Sequence, residues 1–457
     1  MVFLPPIVRS GANALNRALF SKSVNLAAAA VSDNRSLSKY RKALQGSKEL
    51  LLAGGVSPIT PHPDEALAAQ GRKCLLLHPN VKPQVSDAWS TVLKEGVQKQ
   101  ELSVIPYELR LSYENWSYHD VIKSILPEEL GDDIPSGFNT AGHVAHLNLR
   151  DRYIPYKKVI AEVLLDKNPH IKTVINKVDN VGSDSQFRTF QYEVLAGVDD
   201  LQVQVTESNC VFEFDYSKVY WNSKLDTEHR RIIDLFNPGE VVCDVMAGIG
   251  PFAVPAGKKG VFVWANDMNP ESFKCLQRAV ERNKVAEFVR PFCEDGLNFI
   301  HQAADSVLEA SQNGEYARVP QKRPSRSIPN APVPNPKHVP VPPTISHFVM
   351  NLPASAIEFL GRYRGLYAGH EDMFEPATGT KLPVVHVHCF SHKQDDNTPV
   401  DDICQRITKE LGYTVKPGDP DMEGEVAIHD VRDVAPAKRM FCASFRLPRD
   451  VAFAPRN

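Results

Sequence analysis

The segment DVMAGIGPFAVPAGKKG, residues 244–260, joins a carboxylate to a glycine-rich turn. Gly248, Gly250 and Ala253 fit the pattern G-x-G-x-x-[GA], in which missing side chains let a ligand approach the backbone closely. The apolar residues before the turn predict a buried strand that leads into it. The pattern alone is a weak signal, because a nicotinamide dinucleotide and S-adenosylmethionine are both compatible with it.

Four positions at the ends of predicted strands could contact a ligand, and three of them, all except Asp267, help to separate the two ligands. Asp267 follows the second strand and can accept hydrogen bonds from the ribose hydroxyls of either ligand. Asp244 would repel a pyrophosphate, but it can hold the ammonium group of a methionine. Asp295 follows the third strand, where a carboxylate can accept a hydrogen bond from an adenine amino group. The tripeptide Asn-Leu-Pro at 351–353 follows the fourth strand and can hold a planar nitrogen in line with a methyl group.

Each of these positions also has a purely structural explanation. Asp244 could cap a loop, Asp295 could cap the next helix, and the tripeptide 351–353 could be a turn at a strand end. Four strand ends in register make the combined structural explanation the weaker one, and they favour S-adenosylmethionine over a dinucleotide.

The elements around these residues alternate between strand and helix from residue 226 onward. The predicted strands are EVVCDVMAG, GVFVWAND, FVRPFCED, ISHFVMNLP and PVVHVHCF, followed by the pair EVAIHDVRDV and RMFCASFRLP. The helix NPESFKCLQRAVERN has Asn269 as its predicted cap and Pro270 at its first position. This alternation predicts an α/β fold with a doubly wound, mostly parallel sheet and one antiparallel strand.

The rest of the chain predicts two smaller regions before that domain. We assign 1–105 to an N-terminal region, 106–213 to a middle α+β domain and 214–457 to the large domain. A proline-rich insertion at 311–344, with nine prolines between Pro320 and Pro343, interrupts the large domain, and we expect it to be a mobile and inert excursion.

The first 32 residues leave two interpretations open. They contain Arg9, Arg17 and Lys22 but no acidic residue before Asp33, which is typical of a mitochondrial presequence. They could equally be the first elements of the folded protein.

Composition excludes some classes of protein. The 457 residues are 42% hydrophobic, and no apolar run approaches the ~20 residues of a membrane span. A net charge of −3 means that any site for a polyanion has to be local. The eight cysteines are scattered, as in a protein of a reducing compartment. His386, His388, Cys389 and His392 hint at a metal, but nothing nearby in the sequence completes a tetrahedral set, so we predict no metal site.

Longer stretches of the chain resemble one family. They include FLPPIVRSGANALNRALFSKSVNLAAAAV, AGHVAHLNL, SQFRTFQYEVLAG, DYSKVYWNSKLDTEHRRI, MNLPASAIEFL and VRDVAPAKRMFCASFRLP. These motifs and their order make the chain similar to the eukaryotic and archaeal tRNA (guanine-37-N1)-methyltransferases. The resemblance implies a Rossmann-like class I methyltransferase domain that uses S-adenosylmethionine. It also makes residues 3–31 fit better as part of the fold.

The resemblance assigns the chemistry to particular residues. Guanine N1 carries a proton and is a poor nucleophile, so methylation requires a base at N1 and a donor for O6. The resemblance implies that Glu228 is the base, that Arg188 is the O6 donor and that Asn351 takes part in catalysis. We expect Asp226 to cap the helix that carries Glu228, whose carboxylate the helix dipole would keep ionised.

Binding roles follow from the same resemblance. The expected cofactor-binding residues are Asp244, Gly248, Gly250, Asp267, Met268, Asp295, Gly296, Asn351 and Pro353. The expected substrate-binding residues are Tyr220, Lys224 and His229. Lys224 departs from the archaeal pattern, which has an arginine there, so the bidentate geometry of a guanidinium is lost.

The implied function is methyl transfer to N1 of guanine 37 in tRNA, which supports reading-frame maintenance and begins wybutosine formation in tRNA-Phe. The partner would be a tRNA with guanine at position 37, and we expect a monomer located in the cytoplasm, nucleus and mitochondrial matrix. The alternatives are a wybutosine-type aminocarboxypropyl transferase, a non-catalytic tRNA-binding protein and, least of all, a nicotinamide dehydrogenase.

Overall fold

The computed structural model describes residues 3–9, 14–131, 133–177, 187, 191–321, 335–376 and 378–456. It divides into two compact units. Unit 1 consists of Met1–Phe138, Val144–Lys177 and Glu193–Asp199, and unit 2 consists of Asn139–His143, Val178–Tyr192 and Asp200–Asn457. Within the described residues, no helix has the length and hydropathy that a membrane span requires.

The elements before residue 200 are mainly those of unit 1. They are β1 (Lys22–Val31), α1 (Leu37–Gly46), β2 (Ile59–Pro61), α2 (Glu65–Ala69), β3 (Lys73–Leu76), α3 (Thr91–Gln98), β4 (Leu102–Leu111), α4 (Tyr118–Ile125), β5 (Phe138–Ala141), β6 (Val144–Leu147), α5 (Lys157–Lys167), β7 (Thr173–Lys177) and β8 (Tyr192–Gly197). Short 3-10 helices lie at Arg17–Phe20, Asn34–Ser36, Ser86–Ala88, Tyr113–Asn115, Glu128–Leu130 and Asp151–Tyr156.

Strand β1 organises unit 1. It is an interior strand of an antiparallel sheet of order β2-β3-β1-β4, paired with β4 from Lys22↔Leu111 to Val31↔Leu102. Because successive side chains of a strand point to opposite faces, Ala27 and Ala29 enter one core while Ala28 and Ala30 enter another. The alanine-rich run therefore becomes a strand that is buried on both faces.

The middle region contains a βαβ unit. Strands β6 and β7 are parallel, with Val144 opposite Thr173, and helix α5 connects them. Val159, Val163 and Leu164 of α5 are buried in the core of unit 1. A parallel pair needs such a crossover, which explains the long connection.

Unit 2 contains the larger sheet. Its elements are β9 (Gln202–Glu207), β10 (Cys210–Asp215), α6 (Asp226–Asp234), β11 (Val241–Asp244), α7 (Ala253–Lys259), β12 (Phe262–Asn266), α8 (Pro270–Arg282), β13 (Val289–Phe292), α9 (Gly296–Gln312), β14 (Tyr316–Val319), β15 (Lys337–Pro340), β16 (His347–Met350), β17 (Val384–His392), α10 (Thr398–Leu411), β18 (Lys416–Pro417), β19 (Glu425–Ala435), β20 (Lys438–Arg446) and α11 (Arg449–Ala452). Further 3-10 helices lie at Ser223–Leu225, Ala356–Tyr363 and Glu371–Met373.

The large sheet confirms the predicted α/β fold. Its order is β13-β12-β11-β16-β17-β20-β19-β18. The first five strands are parallel, whereas β20 runs antiparallel to both of its neighbours, β17 and β19. The carboxyl ends of β11, β12, β13 and β16 therefore meet at one edge, next to the point where the strand order reverses. Ligands of doubly wound sheets bind at such an edge.

The domain boundaries differ from the sequence-based ones. Residues 1–105 and most of the predicted middle domain form one compact unit, whereas β9 and β10 belong to unit 2. The β1 strand lies within the predicted presequence 1–32, and six of its consecutive residues are buried. Both ends of the proline-rich stretch 311–344 are regular structure, because β14 and β15 pair from Tyr316↔Pro340 to Val319↔Lys337. Residues 322–334 of that stretch lie outside the described residues.

Candidate functional site

A cavity of about 330 Å³ opens at the carboxyl edge of the large sheet. Four strand-end segments contribute to its wall: 245–249 after β11, 266–269 after β12, 295–297 after β13 and 351–352 after β16. Among the predicted ligand-binding residues, the wall therefore contains Gly248, Asp267, Met268, Asp295, Gly296 and Asn351. The structure thus brings together residues that are more than 100 positions apart in the chain.

The two glycines of the turn have different reasons to lack a side chain. Both have positive φ, +56° for Gly248 and +97° for Gly250. A Cβ on Gly248 would meet no atom within 4 Å, and this residue faces the cavity. A Cβ on Gly250 would lie 2.6 Å from Cδ1 of Leu276 and 2.9 Å from Cγ2 of Val254. Gly248 thus leaves open space at the cavity wall, whereas Gly250 is needed for packing against α8 and is not on the wall.

Asp267 holds the turn in place as well as facing the cavity. Its Oδ2 accepts a hydrogen bond from the Gly248 amide at 2.8 Å, and its Oδ1 accepts one from the Asn269 amide at 2.9 Å. Burial raises the pKa of Asp267 despite these two hydrogen bonds and a third from the Ser272 side chain. A carboxylate has about four lone-pair sites, so one remains for a ligand hydroxyl.

Asp244 lies behind the cavity wall rather than on it. The side chain is completely buried at the end of β11, and neither oxygen has a hydrogen-bond partner among the described residues. Burial, together with the charge of Asp267, raises the pKa of Asp244 to about 8. A buried carboxylate without a partner is costly, and a ligand cation would relieve that cost.

Asp295 and Gly296 begin α9 at the cavity. Asp295 is exposed and caps the helix by accepting a hydrogen bond from the Leu297 amide at 2.9 Å. A Cβ on Gly296 would lie 3.2 Å from both the Phe359 ring and Val245, so a larger residue would crowd the wall. The capping explanation of Asp295 is therefore correct, and the carboxylate still faces the cavity.

Only two residues of the tripeptide 351–353, which follows β16, line the cavity. Asn351 and Leu352 line the cavity, whereas Pro353 is buried and is not part of the wall. The carbonyl of Pro353 accepts a hydrogen bond from the Phe390 amide at 3.0 Å. This hydrogen bond ties the chain after Asn351 to strand β17.

Asn266 is a site residue that the sequence analysis missed. It is fully buried, and its amide group donates to the carbonyls of Val245 at 3.1 Å and Glu294 at 3.0 Å. Its side-chain oxygen also accepts from the Glu294 amide at 2.8 Å. These bonds tie together the ends of three strands. A polar residue that ends the apolar run of β12 was the available signal.

Glu228 lies close to the cavity but not on its wall. It is only 4% exposed, and Arg231 donates to both of its oxygens, from Nε at 2.7 Å and from Nη2 at 2.8 Å. His388 Nε2 lies 2.8 Å from Oε1. Burial raises the pKa of Glu228, but the hydrogen bonds from Arg231 and His388 outweigh burial and lower it to about 2.

The predicted cap of this helix is wrong. Asp226 is the first residue of α6, Leu225 occupies the cap position, and no side chain caps α6. Asn222 instead caps the preceding 3-10 turn by accepting from the Lys224 amide at 3.2 Å. Two cations, rather than a capped helix end, are thus the main reason why Glu228 is ionised.

His229 faces the cavity and has a buried partner. Its Nδ1 lies 2.5 Å from Oε1 of Glu207, and its ring meets Phe252 edge-on at 4.7 Å between centroids. Glu207 is the last residue of β9 and was missed by the sequence analysis. In the tautomer whose Nδ1 carries the proton, Nδ1 donates a hydrogen bond to Glu207 and the Nε2 lone pair remains as an acceptor.

The remaining predicted residues are placed as follows. Tyr220 is 43% exposed and lines the cavity beside Trp221, whereas Lys224 is exposed and is not on the wall. Arg188 lies outside the described residues. The neighbouring Phe187 is described and lines the cavity.

The histidines of β17 have separate partners. His386 is buried, 2.8 Å from the Ser444 hydroxyl and 3.1 Å from His347, and burial lowers its pKa well below the usual range. His388 lies with Glu228 and Cys442 in a group of potential metal ligands. The guanidinium of Arg231 already neutralises this carboxylate, so the group is better described as an ion-pair cluster.

Comparison with known proteins identifies the family. A model of the TYW2 N-terminal domain matches residues 118–200, and a model of the TRM5/TYW2 methyltransferase domain matches residues 203–314. A tRNA (guanine(37)-N(1))-methyltransferase of Neurospora crassa is 74% identical over 455 residues, covering 100% of this chain and 96% of that protein. Proteins with the same name from Fusarium vanettenii and Schizosaccharomyces pombe are 65% and 44% identical, covering 100% and 96% of this chain and 97% and 95% of those proteins.

Two solved structures share the fold. Trm5b from Pyrococcus abyssi superposes with a TM-score of 0.57 at 20% identity, covering 93% of this chain and 99% of that one. The protein in a complex of aTrm5 with tRNALeu superposes with a TM-score of 0.59 at 18% identity, covering 92% and 99%. From these full-length relationships, the chain belongs to the family of tRNA (guanine(37)-N(1))-methyltransferases.

Proposed function

We propose that this protein transfers the methyl group of S-adenosylmethionine to N1 of guanine 37 in tRNA. The observation that carries the proposal is the meeting of Gly248, Asp267, Asp295 and Asn351 on one cavity wall. A dinucleotide fold has no use for Asn351 at this edge, whereas a methyltransferase needs a polar group there to orient the target nitrogen. The family to which the chain belongs supports the same reaction.

The residues present fit S-adenosylmethionine. When bound, this cofactor supplies an electrophilic methyl group on a positively charged sulfur. Asp267 would accept from the ribose hydroxyls and Asp295 from the adenine amino group, while Gly248 allows close approach. The unpartnered carboxylate of Asp244 fits the positive charge of the methionine part.

Guanine 37 has to leave the base stack of the anticodon loop before it can enter the cavity. An aromatic side chain that stacks on an extruded base compensates part of the lost stacking. Tyr220, with its exposed ring on the cavity wall, is placed for that contact. His229 and Asn351 would then contact the edge of the base.

For the proton on guanine N1, we propose Glu228 as the acceptor. The N1–H bond breaks, the proton passes to a carboxylate oxygen, N1 bonds to the methyl carbon, and the electrons of the carbon–sulfur bond remain on sulfur. Glu228 is ionised, as a proton acceptor must be. It lies in the chain between Leu225 and His229, which both line the cavity wall. Arg188 is proposed as the donor to O6.

The family model covers both TRM5 and TYW2 proteins, so an aminocarboxypropyl transfer is the second candidate. Asn351 favours methyl transfer because its amide can orient a planar nitrogen nucleophile. A catalytically inactive tRNA-binding protein is disfavoured by the complete set of strand-end carboxylates.

The remaining proposals concern the cellular setting. We propose that the protein acts as a monomer on tRNA whose residue 37 is guanine, and that unit 1 contributes to tRNA recognition. We further propose that it works in the cytoplasm, nucleus and mitochondrial matrix, since the basic, acid-free N-terminus is compatible with import. A fusion of residues 1–40 to a fluorescent reporter tests import, and a reporter that never reaches mitochondria would refute it.

The reaction is tested with S-adenosylmethionine labelled in its methyl group and two tRNA transcripts that carry guanine or adenine at position 37. We expect label only on the guanine transcript, at N1 after digestion and mass spectrometry. Asn351→Ala should bind the cofactor but transfer methyl much more slowly. Label on both transcripts, label on neither, or an aminocarboxypropyl adduct would each contradict the proposal.

A further inference from the structure

Two cationic side chains contact the carboxylate of Glu228 next to the cavity wall. Arg231 contacts both carboxylate oxygens, at 2.7 and 2.8 Å, and His388 contacts Oε1 at 2.8 Å. The pair with Arg231 is set by helix spacing, because residues three apart lie on the same helix face. The contact with His388 joins residues 160 positions apart and exists only in the folded protein.

Three neighbouring strands supply the other groups that face Glu228. His388 of β17 lies opposite Cys442 of β20, which in turn lies opposite His429 of β19. Partners across a sheet share one face, so these three side chains form a row beneath α6. The Nε2 atom of His429 is 3.8 Å from Oε2 of Glu228. Farther away, Asp244 and His386 also interact electrostatically with His388.

The charge on His388 follows from these neighbours. Burial lowers the pKa of His388, but Cys442 and Glu228 outweigh burial and raise it to about 10. Burial also lowers the pKa of His429, which is half exposed. His388 is therefore an imidazolium near neutral pH, and the carboxylate lies between two positive charges.

We propose that His388 and Arg231 are positioning residues that hold Glu228 as an anion beside the cavity and so set the pH range in which it can accept the guanine proton. This inference rests on the proposed role of Glu228 in methyl transfer. Neither positioning residue is on the cavity wall, so neither acts on the substrate directly.

Removing one cation has a predictable direction. A buried carboxylate that loses a contacting positive charge binds a proton more tightly, by roughly one to three pH units. A carboxylate that is already protonated cannot accept the proton of guanine N1. Methyl transfer should therefore lose rate at the acidic end of the pH profile when His388 or Arg231 is neutralised.

The experiment measures single-turnover methyl transfer to guanine-37 tRNA by the full-length protein, with saturating S-adenosylmethionine, between about pH 4 and pH 8.5. Because the pKa of Glu228 starts at about 2, a rise of roughly one to three units brings it to roughly 3 to 5. His388→Asn should therefore bring the acidic limb into the measured range and lower the rate at pH 4 by up to about tenfold. The cofactor dissociation constant, measured by calorimetry, should stay within about twofold in Arg231→Gln, because Arg231 does not line the cavity and His388, rather than Arg231, acts on the charge of Asp244.

His386→Asn is the matched control. His386 lies on the same strand and the same face and is equally buried, but it contacts Ser444 and His347 rather than Glu228. Arg231→Gln is a second test variant whose side chain is partly exposed, so it carries the test if His388→Asn does not fold. Both test variants should shift the acidic limb in the same direction, and the control should not.

The outcomes separate this inference from the proposed function. Acidic limbs in His388→Asn and Arg231→Gln that coincide with that of His386→Asn would overturn the inference while leaving the methyltransferase intact. Full turnover in Glu228→Gln would overturn both the inference and the role of Glu228. A wild-type protein that methylates no guanine-37 tRNA would overturn the proposed function itself.

Discussion

We expect the buried carboxylate of Asp244 to make cofactor binding dependent on pH. In the free protein its pKa is raised to about 8 by burial and by Asp267, so the carboxyl group is mostly protonated at pH 7. If Asp244 must be ionised to stabilise the ammonium group of S-adenosylmethionine, binding has to release that proton. The informative substitution is Asp244→Asn, which keeps the size of the side chain and removes its titration.

The magnitude follows from the pKa. The apparent dissociation constant is multiplied by one plus the ratio of protonated to ionised carboxyl, which is about 100 at pH 6, about 11 at pH 7 and about 2 at pH 8. Through the titration of Asp244 alone, the wild-type protein should therefore bind the cofactor roughly 50-fold more tightly at pH 8 than at pH 6. At pH 7, binding should release about 0.9 proton.

Isothermal titration calorimetry in two buffers of different ionisation enthalpy measures both quantities. The ligand amine itself loses a proton near pH 8, so the wild-type profile has to be compared with that of Asp244→Asn. Asp244→Asn should bind the cofactor more weakly than the wild type at pH 8. Its dissociation constant should show little of the steep rise that the wild type shows below pH 8. Asp305→Asn serves as the control, because Asp305 pairs with Arg456 and does not line the cavity.

The free variant offers an independent check with the opposite sign. A carboxyl group whose pKa is higher in the folded state binds more protons when folded, so its contribution to stability falls as pH rises from about 4 to about 8. Asp244→Asn without cofactor should consequently melt at a higher temperature than the wild type at pH 8. Identical proton release and identical pH dependence in the wild type and Asp244→Asn would refute the reasoning.

Two further predictions concern residues that the fold brings into play. Glu207→Gln should weaken the contact that fixes Nδ1 of His229 and slow methyl transfer by about tenfold. Its circular dichroism spectrum should match that of the wild type. The control is Glu213→Gln on the same hairpin, and equal rates in the two variants would contradict this prediction. Removal of residues 1–31 deletes β1, so unit 1 should lose its cooperative melting transition and become protease-sensitive. Removal of residues 1–3 should change neither property. A stable, active product of the longer deletion would contradict this prediction and show that cleavage of a presequence near residue 32 is tolerated.

The predictable part of the site depends on local pattern. Each strand of the large sheet is a short apolar run, and a polar residue or glycine follows it, so the positions of Gly248, Asp267, Asp295 and Asn351 could be found without a structure. Parallel strands bring such positions to one edge by geometry alone. The cap of α8 by Asn269 was predictable for the same reason, because its bond to the Glu271 amide spans two residues.

Local pattern failed where a short polar segment offered several equivalent solutions. Asp226 and Asn222 are both good capping residues, and the backbone conformation after Tyr220 decided which of them caps a turn. The proline-rich stretch showed only its composition, while the pairing of β14 with β15 joins segments about 20 residues apart. The division into two units likewise depends on contacts of β9 and β10 that sequence composition does not reveal.

The sequence by itself determined the fold class, the edge of the sheet at which a ligand binds and the type of ligand, because these depend on periodicity and on residue types at strand ends. Only the tertiary structure decided what surrounds each chemical group. It placed Asp244 behind the wall without a partner, gave His229 its buried Glu207 and set Glu228 between Arg231 and His388. The physical reason is that burial and contacts between distant residues set the charge of an ionisable side chain, and both arise only when the chain is folded.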